Sequence, residues 1–286
     1  MDLPDVTRAI AAATSIAASL DLQADDATVL HNSNKLAVRL TPCDVFARIA
    51  PVGQEVARFE VELAQRLADV GSPVAGLESR VEPLVYTRDG FAVTLWTYYE
   101  PTTPGLSPPD YADALARLHD GMRKVDLPSP RFTDRIAAAQ EIVGNPHLSP
   151  GLADTDRGFL SSRLESLRRT IDDRAPEEQL LHGEPHPGNL LSTKNGPLFI
   201  DFETCCRGPV ELDLAHVPEA VCDHYPNIDQ DLLAVCRELV LAMVAAWRWD
   251  IGDQFPNGGR FGVEFINALR EGPPWPTLDA MAKRVP

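Results

Sequence analysis

The chain has 286 residues, of which 42 are acidic and 26 basic, and its formal net charge is −16. Such a length suits one large domain or two lobes of about 100–200 residues each, and 44% hydrophobic residues can form a buried core. The acidic excess argues against a surface that neutralises phosphates, so we expect neither nucleic acid nor an anionic membrane as a partner. It is compatible with a cationic ligand, and equally with solubility alone.

The sequence predicts a cytoplasmic protein with reduced thiols. Its longest apolar run is the nine residues from Leu239 to Trp247, whereas a membrane span needs about 20. The Ala-rich start lacks the basic segment of a secretory signal, because Asp2 and Asp5 precede it. The five cysteines show no C-x-x-C spacing, which favours neither a disulfide framework nor a zinc ribbon.

The first 96 residues are predicted to form a β-rich lobe with one long helix after its third strand. Short β-type runs are separated by turn residues, and the apolar residues of segment 54–70 recur at helical spacing. In chain order, the predicted elements are a helix at 4–22, strands at 27–30, 35–40 and 44–49, a helix at 54–70, and strands at 83–86 and 91–96 around a turn at 88–90.

A proline-rich hinge at 97–106 is predicted to lead into a mainly helical lobe at 107–286. The segment Ser107-Pro108-Pro109-Asp110 is a helix-capping signal. The predicted elements are helices at 110–123, 134–143, 155–173 and 229–249, and a hairpin formed by 180–192 and 197–201 around Asn195-Gly196. The fold class expected is therefore α+β with two lobes.

Candidate catalytic residues concentrate in segment 180–201. Glu184 lies five residues before Asn189, and Asp201 follows twelve residues after Asn189 at the end of an apolar strand. A carboxylate and an amide on one loop, facing a carboxylate across a hairpin, can converge on one point. Phosphoryl transfer needs oxygen ligands for Mg²⁺ and a carboxylate for the acceptor hydroxyl.

The same segment resembles a known family. His182-Gly183-Glu184-x-x-x-x-Asn189 is similar to the H-G-D-x-x-x-x-N catalytic loop of the aminoglycoside phosphotransferase family, relatives of choline kinases with a protein-kinase-like fold. Three further segments match the family in order and spacing. Asp201-Phe202-Glu203 resembles its metal-binding segment, Asp213-Leu214-Ala215 resembles its D-L-A run, and the segment Leu115–His119 resembles its L-x-x-L-H helix. The resemblance covers residues 28–216.

The resemblance implies that Asn189 and Asp201 hold Mg²⁺ and that Glu184 stands at the position of the catalytic base. His182 is the other residue of this loop that could act as a base, although its counterpart in the family supports the loop. Glu184 departs from the family pattern, in which the residue is Asp. The extra methylene moves the carboxylate by roughly 1.5 Å, and about 1 Å of misplacement can cost on the order of 10²-fold in rate.

On the nucleotide side, Arg48 stands where relatives usually carry a phosphate-binding Lys, and Glu60 is its implied partner. The first hairpin loop, with Ser33 and its backbone N–H groups, could touch phosphate or be a plain turn. The segment Leu95-Trp96-Thr97-Tyr98 matches the inter-lobe hinge that would receive adenine, and a hydrophobic strand end would look the same. ATP is the default donor, and GTP is not excluded.

These observations predict a small-molecule kinase that uses Mg²⁺ and ATP. Residues 203–271 contain 12 acidic and five basic residues, which favours a cationic acceptor such as an aminoglycoside or amino sugar, with solubility as the alternative. A cationic acceptor would suit either an antibiotic-modifying kinase or a metabolic kinase for an amino alcohol or sugar. A third alternative is a nucleotide-binding pseudokinase weakened by the departures at Glu184 and Arg48.

Overall fold

The computed structural model describes residues 1, 3–33, 35–53, 56–102 and 106–284. The chain divides into two compact units, Met1–Leu106 with Leu190–Glu203, and Ser107–Asn189 with Thr204–Pro286. A β-sheet dominates the first unit and helices dominate the second. The predicted α+β class is therefore confirmed.

The first unit contains a five-stranded antiparallel sheet in the order β1-β2-β3-β5-β4. An Ala-rich helix packs its buried face against the sheet to form the core of this unit. The elements are α1 (Leu3–Ser19), β1 (Ala24–Asn32), β2 (Leu36–Pro42), β3 (Val45–Pro51), α2 (Val56–Asp69), β4 (Tyr86–Arg88) and β5 (Phe91–Thr97). The predicted start of α2 at 54–55 and the loop residue Asn34 lie outside the described residues.

The alternation of β2 and β3 places two cations, Arg39 and Arg48, on the less buried face of the sheet. Leu36 and Val38 of β2, like Ala47 and Ile49 of β3, are buried against the core. Because side chains alternate along a strand, the residues between them point the other way. Arg48 is one of these, and its partner across the two strands is Ala37.

The strand predicted at 83–86 is placed wrongly. It is β4, which begins only at Tyr86 and continues through Arg88, a residue that the sequence assigned to the turn. The connection is shortened to Asp89 and Gly90, which have φ values of +51° and +84°. Two positive φ values are the requirement of the tight two-residue turn that fits the twist of a hairpin.

The prediction of residues 180–192 as one hairpin arm is also wrong. They contain β6 (Gln179–Leu181), which pairs with β9 (Cys206–Gly208), then a loop, a 3₁₀ turn (Pro187–Asn189) and the start of β7 (Leu190–Thr193). Two prolines in the loop lack the N–H group that a continuous ladder needs. The second arm is confirmed as β8 (Gly196–Phe199), which pairs with β7.

The β7–β8 hairpin belongs to the first unit. The backbone N–H of Phe199 donates to the Pro73 carbonyl at 2.8 Å, and that of Ala75 donates to the Phe199 carbonyl at 3.0 Å. The predicted lobe ranges, 1–96, 97–106 and 107–286, stay a prediction, and they assign this hairpin to the C-terminal lobe. Residues 103–105 of the predicted hinge lie outside the described residues.

Helices build most of the second unit. Ser107 caps α3 as predicted, accepting a hydrogen bond from the Asp110 N–H at 3.4 Å. The helices are α3 (Pro108–Met122), α4 (Phe132–Gly144), α5 (Asp154–Arg174), α6 (Val210–Leu214), α7 (Glu219–Cys222), α8 (Gln230–Trp247), α9 (Gly258–Glu271) and α10 (Leu278–Ala282). None of the helices in the described ranges has the length and apolar character that crossing a bilayer would require.

Candidate active site

The loop that follows β6 is anchored to one buried carboxylate. The backbone N–H groups of His182 and Gly183 donate to Oδ2 and Oδ1 of Asp213, each at 2.8 Å. Gly183 has a φ of +89°, and a Cβ atom there would overlap the carbonyl of Thr204, so the position requires glycine. His119 supports the carboxylate from α3, with Nε2 3.0 Å from Asp213 Oδ2.

Asp213 is ionised although it is fully buried. Burial raises its pKa, but the hydrogen bond and charge of His119 are the largest opposing effects, and the pKa is held below its ordinary value. A charged acceptor strengthens the hydrogen bonds that it receives from backbone N–H groups. Asp213 therefore fixes the loop that carries Glu184 and Asn189.

Glu184 is paired with Arg135 of α4. Arg135 Nη2 donates to Glu184 Oε1 in a short ion pair, and Nη1 donates to the Gly183 carbonyl at 2.8 Å. The guanidinium also lies over the Trp247 ring, 5.1 Å from its centroid. Burial raises the pKa of Glu184, but the positive charge of Arg135 outweighs it and holds the pKa below its ordinary value. Glu184 is thus ionised at neutral pH and partly neutralised by its neighbour.

His216 stays neutral in the same region. Burial lowers its pKa to about 4, and neither ring nitrogen has a hydrogen-bond partner among the described residues. Neither His216 nor Arg135 was predicted as a site residue. Arg135 lies 49 residues before Glu184, so only the tertiary fold brings the two side chains together.

The two remaining polar residues of the loop have structural contacts. The His182 ring is fully buried, and its Nδ1 lies 3.4 Å from the Glu184 backbone nitrogen. Asn189 donates from Nδ2 to the Glu184 carbonyl at 3.0 Å, so its side-chain oxygen is the atom that a cation would use. These contacts suit His182 to supporting the loop and Asn189 to binding a ligand through oxygen.

In the first unit, Arg48 joins two carboxylates. Its Nη1 lies 2.7 Å from Glu60 Oε1, and its Nη2 lies 2.8 Å from Asp201 Oδ1. Burial lowers the pKa of Arg48, but the charges of Glu60 and Asp201 outweigh this effect and raise it. The side chains of Arg48 and Glu60 are only 14% and 4% exposed, so they are not an ordinary surface pair. Their role in nucleotide binding stays a prediction.

Two further residues, Lys35 and Glu203, extend this cluster. Lys35 Nζ lies 2.7 Å from Glu60 Oε2 and 2.6 Å from Glu203 Oε2. Glu203 stood in the quoted segment Asp201-Phe202-Glu203 and Lys35 began the predicted strand 35–40, but neither was predicted as a site residue. Strand alternation could have predicted the position of Lys35. Residues two apart along a strand share a face, and Lys35 lies two residues before Ala37, the cross-strand partner of Arg48.

The other predicted nucleotide contacts are Ser33 and the residues of the predicted hinge. Ser33 is exposed, and its backbone N–H donates to the Lys35 carbonyl at 3.1 Å. In the predicted hinge, the Leu95 carbonyl accepts from the Glu78 N–H and the Thr97 N–H donates to Gly76. An adenine contact through those two groups would have to break these bonds. The remaining two predicted contacts are the buried Trp96 and the partly exposed Tyr98.

Asn189 and Asp201 are the predicted metal ligands. Among the described residues, no group of three or more His, Cys, Asp and Glu side chains could hold a metal ion. Asp201 and Asn189 instead offer a carboxylate and an amide oxygen. Both are hard donors, and Mg²⁺ is commonly held by one or two carboxylates while waters and substrate phosphates complete its shell. Each residue therefore offers the type of donor that Mg²⁺ prefers, and their joint role as metal ligands stays a prediction.

Much of the acidic excess of residues 203–271 is neutralised within the fold. Six of the twelve acidic residues form ion pairs with Lys or Arg. The pairs are Glu203–Lys35, Glu219–Arg237, Asp229–Arg174, Glu238–Arg163, Asp253–Arg248 and Glu271–Arg284. The charge of this segment alone therefore does not identify a surface for a cationic acceptor.

Comparison with known proteins identifies the family of this chain. A family model described as the phosphotransferase enzyme family, APH, matches residues 25–250. None of the curated proteins matches the sequence.

Solved structures of kinases share the fold at low sequence identity. Amicoumacin kinase hAmiN, in complex with AMP-PNP, Ca²⁺ and its ligand, has a TM-score of 0.71 and 11% identity, over 99% of this chain and 100% of that one. APH(2")-IIia with GDP and kanamycin has a TM-score of 0.70 and 16% identity, over 91% and 98%. A choline/ethanolamine kinase family protein from Mesorhizobium loti has a TM-score of 0.66 and 18% identity, over 96% and 97%. The expected kinase-like fold is therefore confirmed.

Proposed function

This chain belongs to the phosphotransferase enzyme family, and from that premise we propose that it transfers the γ-phosphate of ATP, or of GTP, to a hydroxyl of a small-molecule acceptor. The observation that carries the proposal is the chain of ion pairs from the buried Glu60 through the largely buried Arg48 to the partly exposed Asp201. Kinases use such a cation to neutralise the nucleotide phosphates and an Asp to bind the metal. A cytosolic location, where the nucleotide is available, is part of the proposal.

Arg48 is proposed to bind the α- and β-phosphates. Its guanidinium has five N–H donors, of which the contacts with Glu60 and Asp201 use only part. Arg can bind phosphate oxygens bidentately, where the family's usual Lys acts as a point charge. Glu60 holds the guanidinium in place for this contact.

Glu184 is proposed to orient the acceptor hydroxyl and accept its proton. A carboxylate with a lowered pKa is a weak base, but phosphoryl transfer depends mainly on positioning and electrostatic stabilisation. The pairing with Arg135 and the loop anchored on Asp213 supply that positioning. His182, the other predicted catalytic residue, is proposed to support the loop from its buried site.

Asn189 and Asp201 are proposed as the protein ligands of Mg²⁺. A bound Mg²⁺ would supply positive charge that neutralises the nucleotide phosphates and the charge that develops during transfer. Asp201 Oδ1 accepts from Arg48, so this chain positions the carboxylate before any metal arrives.

For the acceptor, we propose a cationic compound such as an aminoglycoside or amino sugar, because the chain has a net charge of −16. Arg135 neutralises Glu184, so the amino groups of such an acceptor would bind at other carboxylates. Titratable amino groups would then be needed for affinity, whereas the hydroxyl would be needed for transfer. An antibiotic-modifying role and a metabolic role for amino alcohols or sugars follow from the same chemistry.

The test is transfer of labelled phosphate from Mg·ATP or Mg·GTP to a panel of acceptors. The panel holds aminoglycosides, amino sugars, amino alcohols and uncharged polyols of similar size. We expect Asp201→Ala to reduce transfer by about 10²–10³-fold, and Asp113→Ala, an exposed helix carboxylate, to leave it unchanged. Transfer that survives Asp201→Ala contradicts the mechanism, and preference for the uncharged polyols contradicts the cationic acceptor.

The pairing of Glu184 with Arg135 also favours a second candidate, a nucleotide-binding protein with weakened catalysis. In that case the purified chain binds Mg·ATP but transfers phosphate to no acceptor of the panel. Thermal shift with Mg·ATP measures the binding independently of transfer, so the two candidates are distinguished in one set of samples.

A further inference from the structure

Lys35 is a cation held in place by two carboxylates. Its Nζ lies 2.7 Å from Glu60 Oε2 and 2.6 Å from Glu203 Oε2, and its side chain is 11% exposed. Glu60 thus offers one oxygen to Lys35 and the other to Arg48. Two cations, one directly before β2 and one on β3, converge on a single carboxylate.

The donors of Lys35 are not exhausted by these contacts. An ammonium group has three N–H donors, and the two carboxylates account for two of them. The third can be given to a phosphate oxygen without breaking either ion pair. Exposed lysines also lose side-chain entropy when they bind, and here the two ion pairs have already ordered the chain.

The charge of the cluster suits a metal-bound nucleotide. Lys35 and Arg48 face three carboxylates, those of Glu60, Asp201 and Glu203. This set carries one excess negative charge, which a divalent cation would turn into one excess positive charge. The loaded cluster would then attract phosphate, and Lys35 would be one of its two protein cations.

The place of Lys35 in the fold agrees with such a contact. It directly precedes β2, at the end of the turn that follows β1, and its carbonyl accepts the Ser33 N–H. In kinases, the turn between the first two strands covers the nucleotide phosphates. Lys35 therefore extends from that turn toward the carboxylate that also holds Arg48.

We propose that Lys35 is a second phosphate-binding cation, which contacts the β- or γ-phosphate of the nucleotide while Arg48 serves the α/β side. This inference rests on the proposed function, because it presupposes a nucleoside triphosphate. Lys35 and Arg48 would together bind the phosphates that a single lysine binds in the family pattern. The compact ammonium suits a phosphate that moves during transfer, since it imposes no planar geometry.

The experiment measures the affinity of the full chain for Mg·ATP and for adenosine, by isothermal titration calorimetry. Lys35→Met removes the charge and keeps the apolar stem. The double variant Lys35→Met/Glu203→Gln also removes the carboxylate charge that the single change leaves without its cation. Lys124→Met, at an exposed position on the second unit, is the matched control.

We expect Lys35→Met and the double variant to weaken Mg·ATP binding by about 10-fold or more, with unchanged adenosine binding and an unchanged Lys124→Met control. Recovery of wild-type Mg·ATP affinity in the double variant overturns the inference, because Lys35 would then only balance Glu203. Equal affinity in wild type and Lys35→Met overturns it as well. Failure of the wild-type chain to bind either Mg·ATP or Mg·GTP rejects the proposed function itself, a result distinct from both.

Discussion

Replacing Arg135 by Met tests how Glu184 is held. The change keeps an apolar stem of similar length and removes the guanidinium. Three interactions are lost together, namely the ion pair with Glu184, the hydrogen bond to the Gly183 carbonyl and the stacking on Trp247. Glu184 then remains in a largely buried position without its main positive neighbour.

The expected cost follows from burial. Removing one partner of a fully buried pair costs about 3–5 kcal/mol. The side chains of Arg135 and Glu184 are 12% and 25% exposed, so water recovers part of this and we expect about 2–3 kcal/mol. At about 2–4 °C per kcal/mol for a domain of this size, the melting temperature falls by about 4–12 °C.

The loss depends on pH with a definite sign. Arg135 lowers the pKa of Glu184 in the folded chain, so the pair stabilises the fold fully above the unfolded-state value of about 4.5. That stabilisation disappears as the pH falls through the folded-state pKa. The difference between wild type and Arg135→Met is therefore largest near neutral pH and shrinks below about pH 4.

Scanning calorimetry at neutral and acidic pH measures both effects. Arg131→Met is the matched control, because Arg131 is 53% exposed where Arg135 is 12% exposed, and a pair with an exposed arginine contributes about 0–1 kcal/mol. A loss for Arg135→Met no larger than that of the control would refute the burial reasoning. A loss that is equal at both pH values would refute the assignment of the effect to the Glu184 charge.

Two further changes probe the same loop. Gly183→Ala should lower the free energy of unfolding by at least about 3 kcal/mol, because the new Cβ adds positive-φ strain and overlaps the Thr204 backbone. The control Gly158→Ala, at an open helix position, should raise it by about 0.5–1 kcal/mol. Equal changes for the two variants in thermal unfolding would contradict the overlap. Glu184→Asp restores the family residue but should lower kcat, because it moves the carboxylate roughly 1.5 Å away from Arg135. A higher kcat in steady-state kinetics would mean that the loop geometry suits Asp better than Glu.

Local signals predicted the elements well where they act within a few residues. Ser107 begins α3 as expected, and helices α4, α5 and α8 lie within two residues of their predicted ends. The errors occurred where pairing partners are distant. Segment 180–192 was predicted as one arm because the ladder between β6 and β9 joins residues 25–29 positions apart, and no local period reports such a pairing.

Site residues, like the secondary-structure elements, could be predicted where the signal is local and not where it depends on the tertiary fold. Arg48 and Glu60 could be paired from the sequence because their motif positions are fixed by the resemblance. Lys35 was recoverable in principle from strand alternation. Arg135 was not, since α4 reaches Glu184 only through the packing of the second unit.

The two departures from the family pattern have one physical feature in common. At position 184 a longer carboxylate meets Arg135, and at position 48 a broader cation meets both Glu60 and Asp201. In each case the larger side chain has a charged partner at hydrogen-bond distance that uses its added reach. Unpaired substitutions of this kind would leave a buried charge without compensation, which is costly. The pairing of both therefore explains how the fold accommodates the larger side chains of Glu184 and Arg48 at these positions.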